Sequence, residues 1–265
     1  MLASMSVAVA MGLLAWGPVE LTAHAHRYAD ERAWLGVASA ANVWVNAAMF
    51  AAGAWGWYVT RGSRWPLHLR TPWQLFQLHA MVSAAMAALY HARPHDSLFV
   101  VSHIATASSF VMLTLGLLAE RVHARFGSRA LCLMVLLGIA LTGGAMLFAQ
   151  ALGASLDMRP LLLLEIIPVL VISAGALSLP GRSTGVFDWI VVLTLYALAK
   201  LLETGDAFIP QGSGWISGHT VMHLALSAAV GWMGYCAVLA RSATARAGEK
   251  SGSSSHRDTS LYTVA

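Results

Sequence analysis

Charge is what this chain has least of. Lysine and arginine number 16 and aspartate and glutamate 12 in 265 residues, so charged residues make up 11% of the sequence against 58% hydrophobic ones. A soluble domain carries roughly a quarter of its residues charged, and a mean hydropathy of +0.66 excludes that class. Cysteine is almost absent. Cys132 and Cys236 both fall in apolar runs, which leaves no disulfide framework and no cysteine-based metal site. Internal repeats and paired broken helices are missing too, which argues against a transporter. The net charge of +4 reflects Lys and Arg in short loops and the tail, where they report orientation in a membrane rather than nucleic-acid binding.

What is there in quantity is long apolar stretches. Residues 1 to about 17 form the first, followed by Gly17-Pro18 and by Ala23-His24-Ala25, a small-x-small pattern of the kind signal peptidase cuts. No Lys or Arg precedes it, so residues 1–25 read either as a signal peptide or as an extra N-terminal helix. Seven segments long enough to span a bilayer follow, at about 33–60, 71–91, 98–119, 130–152, 160–179, 186–203 and 215–240. The expected fold is therefore all-α, a polytopic seven-helix membrane bundle over 26–240. A Ser-, Gly- and Arg-rich tail over 241–265 is expected to be disordered.

The loops alternate in charge. Arg61, Arg64 and Arg70 follow the first span, Arg121, Arg125 and Arg129 the third, Arg182 the fifth, and Arg241, Arg246 and Lys250 the last. By the positive-inside rule these ends are cytoplasmic and the segment 26–32 is external. Tryptophans such as Trp34, Trp55, Trp65 and Trp189 mark the interfacial belts.

This topology sorts the polar residues by depth. Ser217-Gly218-His219-Thr220-Val221-Met222-His223 places two imidazoles one helical turn apart on one face, the spacing by which His-x-x-x-His pairs hold zinc. They enter from the outside, where span two ends on His91. Three histidines thus gather near one face, matching a three-ligand zinc site with its fourth position open. The same layer holds Asp96, Ser102, His103, Asp157, Arg159, Glu165, Glu203 and Asp206, and ionisable groups at membrane depth point to function. His79, about a third of a turn away from His91 in azimuth, reads as a hydrogen-bonded core histidine, while His68 and His123 sit in loops. Glu203 and Asp206 read by default as helix-end carboxylates facing water.

The stretch Leu198-Ala199-Lys200-Leu201-Leu202-Glu203-Thr204-Gly205-Asp206, followed by Ser217-Gly218-His219-Thr220-Val221-Met222-His223, resembles the C-terminal signature of bacterial members of the alkaline ceramidase family, within the seven-helix CREST superfamily. Asn42-Val43-Trp44-Val45-Asn46, Tyr90-His91 with Pro94, and Asp157-Met158-Arg159-Pro160 with Pro168 extend the resemblance over about 30–240. It implies a zinc ion on His91, His219 and His223. It also implies hydrolysis of the amide bond of a ceramide-like N-acyl lipid to fatty acid and amine, in a bacterial inner membrane, with the site near the external face.

Two positions depart from the pattern. The family's serine four residues before the helix-two histidine is Ala87 here, and its aspartate eleven residues after that histidine is Ser102. A positioned proton acceptor is worth a typical factor of about 10² to 10⁴ in rate. The carboxylate's role is therefore expected to pass to Glu165, less favourably to Glu203 or Asp96, with Ser102 or His103 orienting water. The same departures support a rival, a non-catalytic zinc- and lipid-binding or receptor-like protein. A membrane haem protein with imidazole axial ligands is a further, weaker alternative.

Overall fold

A computed structural model describes residues 2–21, 26–206, 208 and 217–255, with side chains described as far as 239. About 80% of it is helical, and the described residues contain no strands. The elements are α1 (Leu2–Trp16), α2 (Ala40–Trp44), α3 (Asn46–Arg61), α4 (Leu67–Ala92), α5 (Asp96–Arg121), α6 (Arg129–Ala151), α7 (Arg159–Ser178), α8 (Val186–Asp206) and α9 (Gly218–Ser255), with a 3₁₀ turn at Ala124–Gly127. Four of these, α5, α6, α7 and α9 through Leu239, are long and apolar enough to cross a membrane. Helix α6 shows why burial is not the test: Leu133, Met134, Leu137, Leu141 and Phe148 are all exposed on it, an apolar outer face that suits lipid better than water.

Helix boundaries follow local chemistry. Ser128 caps α6 by accepting from the Leu131 N–H, and the His95 imidazole caps α5 by accepting from Ser97. Pro160 occupies the first turn of α7, where its missing N–H costs nothing. Helix α4 begins at Leu67 rather than near 71 and carries Pro72 inside it. Pro72 has no N–H for the His68 carbonyl, and Gly127 packs directly on that oxygen, where a side chain would collide.

The first expected span is shorter than its apolar run. Trp34 and Val37 pair in a tight turn, and Leu35, Gly36 and Ser39 take positive φ of 51°, 78° and 47°, so no helix forms before Ala40. Helix α9 is the longest element. Its bounds run from Gly218 to Ser255, and Ala and Arg in its last part favour helix. Ala23-His24-Ala25, Trp215 and residues 256–265 lie outside the described residues.

Side-chain pairings give the directions. Asn42 of α2 meets Thr220 of α9, while on α3 Ala52 approaches Gly231 and Gly56 lies against Gly234, so α3 and α9 run parallel. Ser83 meets Thr106 and Trp73 meets Gly116, so α4 and α5 run antiparallel. One half of the bundle is an apolar core that includes Trp73, Met112, Leu117 and Trp189, with both cysteines buried and free. The other half holds a cavity of about 450 Å³. On its outer flank, Val19 and Leu21 pack with Leu156, Met158 and Leu161, and Met158 N–H donates to the Val19 carbonyl at 2.7 Å.

Candidate metal centre and its cavity

Three nitrogens define the centre. His91 closes α4, and His219 and His223 occupy the first two turns of α9. Their Nε2 atoms lie 3.2 Å (His91 to His223), 3.3 Å (His219 to His91) and 3.2 Å (His223 to His219) apart, and all three residues are buried. Three ring nitrogens aimed at one point cannot all form linear hydrogen bonds with each other. A metal ion at that point satisfies every lone pair at once, so the three histidines can hold one.

The backbone is built to keep them there. Asp206, at the end of α8, accepts from the His219 N–H at 3.2 Å and from the Ala29 N–H at 3.0 Å, tying the start of α9 to the segment before α2. Ser217 Oγ accepts from the Thr220 N–H and caps α9. Asn42 Oδ1 accepts from Thr220 Oγ1 at 2.7 Å, and Asn42 Nδ2 donates to the Asp30 carbonyl at 3.3 Å. A Cβ on Gly218 would sit 2.5 Å from the Leu202 carbonyl oxygen, so only glycine lets α9 begin this close to α8. Gly218→Ala should therefore displace His219, and titration of metal into the purified variant should show binding weakened by about 10- to 100-fold, the range for perturbed ligand support.

Tyr28 covers the centre from the N-terminal side, its ring 4.4 Å from that of His219 and 4.9 Å from that of His91 between centroids. Burial pushes its phenol well above the ordinary range, so it stays neutral. Nearby, His26 bridges Tyr90 Oη at 2.9 Å and Asp96 Oδ1 at 2.7 Å. Hydrogen bonds from the Arg32 guanidinium hold the Asp30 carboxyl below its ordinary range.

The cavity opens from the centre between the helices, and its wall brings together Glu165 of α7, Ser102 and His103 of α5, and Glu203 of α8. His103 Nδ1 donates to the Phe99 carbonyl at 3.0 Å while its ring stacks on Phe99, which leaves Nε2 as the acceptor. Glu203 pairs with Lys200 at 2.8 Å on the same wall. Ala87 and Ser102, the two departures from the resembled pattern, are both buried on the wall as well. Asp96 is not on it, because His26 and Gln150 hold its two oxygens. His79 bonds the Leu75 carbonyl at 2.8 Å, away from the wall. Asp157 is paired with Arg159.

Sequence reasoning missed Tyr28, His26 and the buried, unpaired amide oxygen of Asn46. The first two lie in a short polar stretch without periodicity. Asn42 and Asn46, four apart in an apolar run, were a usable signal for a polar helix face. No protein-family model, curated protein or solved structure matches this chain.

Proposed function

We propose that this chain is a zinc-dependent intramembrane hydrolase that cleaves the amide bond of a ceramide-like N-acyl lipid, with α3 to α9 spanning the bilayer and the metal near the external face. The observation that carries the reading is the Nε2 triangle on the wall of a largely apolar cavity. Zinc bonds imidazole nitrogen at about 2.0–2.1 Å in tetrahedral geometry, which sets its ligand nitrogens about 3.3 Å apart. The three separations of 3.2, 3.2 and 3.3 Å agree. Three nitrogens on one side of a point also fit tetrahedral zinc better than haem, whose axial ligands stand on opposite faces of a porphyrin.

When bound, zinc would acidify water and polarise a carbonyl. The chain's own groups supply the rest. Phe76, Leu113, Val230 and Met233 line the deep part of the cavity and suit an acyl chain. Glu165 offers a carboxylate to take a proton, and His103 Nε2 and Ser102 Oγ offer an acceptor and a hydroxyl to orient the reacting groups. The rival reading, a zinc-holding protein that binds lipid without turnover, draws on Ala87 and Ser102, where the resembled family carries reactive side chains.

The deciding experiment presents detergent-solubilised protein with a panel of N-acyl lipids and measures released fatty acid. Release that a chelator abolishes and added zinc restores is the expected result. No release from metal-loaded protein across the panel would favour the rival.

A further inference from the structure

Arg27 lines the cavity and is exposed at the same time, so it stands at the mouth. The next residue, Tyr28, is the one whose ring covers His219 and His91. Among the described residues Arg27 makes no hydrogen bond or ion pair, whereas Lys200, also on the wall, is paired with Glu203 at 2.8 Å.

The acids that could have neutralised it are used elsewhere. Asp30 is held by Arg32, Asp157 by Arg159, and Asp96 by His26 and Gln150. Both oxygens of Asp206 accept backbone N–H groups, from Ala29 and His219. Glu31 accepts from the Tyr28 N–H at 3.4 Å, and Glu165 lies within the electrostatic reach of Lys200. Residues 22–25 and 209–216, outside the described residues, contain no Asp or Glu. External segments of a membrane protein carry few Lys and Arg, and Arg32 and Arg159 each serve a neighbouring carboxylate. Arg27 serves none, and it is placed where a ligand passes.

The cavity gives a bound N-acyl lipid one direction. The acyl chain suits the deep end, lined by Phe76, Leu113, Val230 and Met233, and the amide carbonyl then meets the three histidines. Whatever follows the amide nitrogen points to the mouth, toward Arg27. We infer that Arg27 is a specificity-determining residue whose guanidinium donates to an anionic group, carboxylate or phosphate, on the amine part of the lipid. A planar guanidinium can meet either oxyanion with two parallel hydrogen bonds. The inference rests on the N-acyl reading for the direction of the lipid, and it narrows that reading from neutral N-acyl lipids to acidic ones.

Equilibrium binding to the zinc-loaded full chain in a non-ionic detergent tests this with three probes of equal acyl chain: N-palmitoylethanolamine, which is neutral, N-palmitoylglycine, which carries a carboxylate, and N-palmitoyl-O-phosphoethanolamine, which carries a phosphate. At least one acidic probe should bind the wild type about fivefold more tightly than the neutral one, the upper end for an ion pair that water can reach, and which of the two it is identifies the acid. In Arg27→Gln the ratio of acidic to neutral affinity should fall by about the same fivefold. Attraction of the acid group to the metal is common to both proteins and cancels. Arg93→Gln is the control, since Arg93 is an exposed external arginine off the cavity wall, and it should keep the wild-type ratio. No preference for either acidic probe in the wild type, an equal ratio in wild type and Arg27→Gln, or an equal loss in Arg93→Gln overturns the inference. Palmitate release is recorded on the same samples. Its absence would count against the hydrolase reading while leaving the binding comparison intact.

Discussion

Replacing His219 by alanine should strip the metal from the chain. Plasma mass spectrometry of the purified wild type is expected to find zinc near one per chain, and of His219→Ala below about a tenth of that, since two nitrogens left of three no longer form a site. The physical case is the convergence itself, in which His219 Nε2 lies 3.3 Å from His91 and 3.2 Å from His223 and shares the same focal point. His79→Ala is the matched control. It removes a histidine from α4 whose bond is to Leu75 and should leave the metal in place. Equal zinc in wild type and His219→Ala would mean that the ion sits elsewhere, and no zinc in the wild type would remove the basis of the hydrolase reading.

The second large effect concerns Glu165. Glu165→Gln preserves shape and removes the carboxylate, and hydrolysis should fall by about 10² to 10⁴ with zinc content unchanged. Among the described residues Glu165 is a cavity-wall carboxylate with no hydrogen-bond or ion-pair partner, though Lys200 lies within its electrostatic reach, whereas Glu203 is tied to Lys200 and Asp206 is occupied by two backbone N–H groups. A general base must be open to the proton it takes, which favours Glu165 on geometry. Unchanged turnover in a zinc-loaded Glu165→Gln preparation would take this residue out of the mechanism.

Much of this arrangement could be read from the residues. Each of the seven expected segments contains a helix in the structure because long apolar runs bounded by Gly, Pro and Arg leave few alternatives. The errors lie where a local rule beat the run. Positive φ at Leu35, Gly36 and Ser39 delayed the first helix, and the second expected span began earlier, at Leu67. The triad was legible because a four-residue spacing and an alternating loop charge are both local signals. Tyr28 was not, because what places it over the histidines is the bond from its neighbour Ala29 to Asp206, 177 residues away. No periodicity encodes a contact of that kind. Asn46 was visible as a polar residue in an apolar run, but its orphaned oxygen exists only once α3 is docked against α9.

Asp206 has a consequence of its own. One carboxylate grips the Ala29 N–H with one oxygen and the His219 N–H with the other. Anything that steadies α9, a bound ion above all, therefore also steadies the strand of chain that carries Tyr28, and pulling that strand away loosens a metal ligand in the same motion. The two events share a single free-energy linkage and act on each other reciprocally. The amino-terminal stretch is in that sense part of the ion's affinity, though none of its atoms is among the three ligand nitrogens.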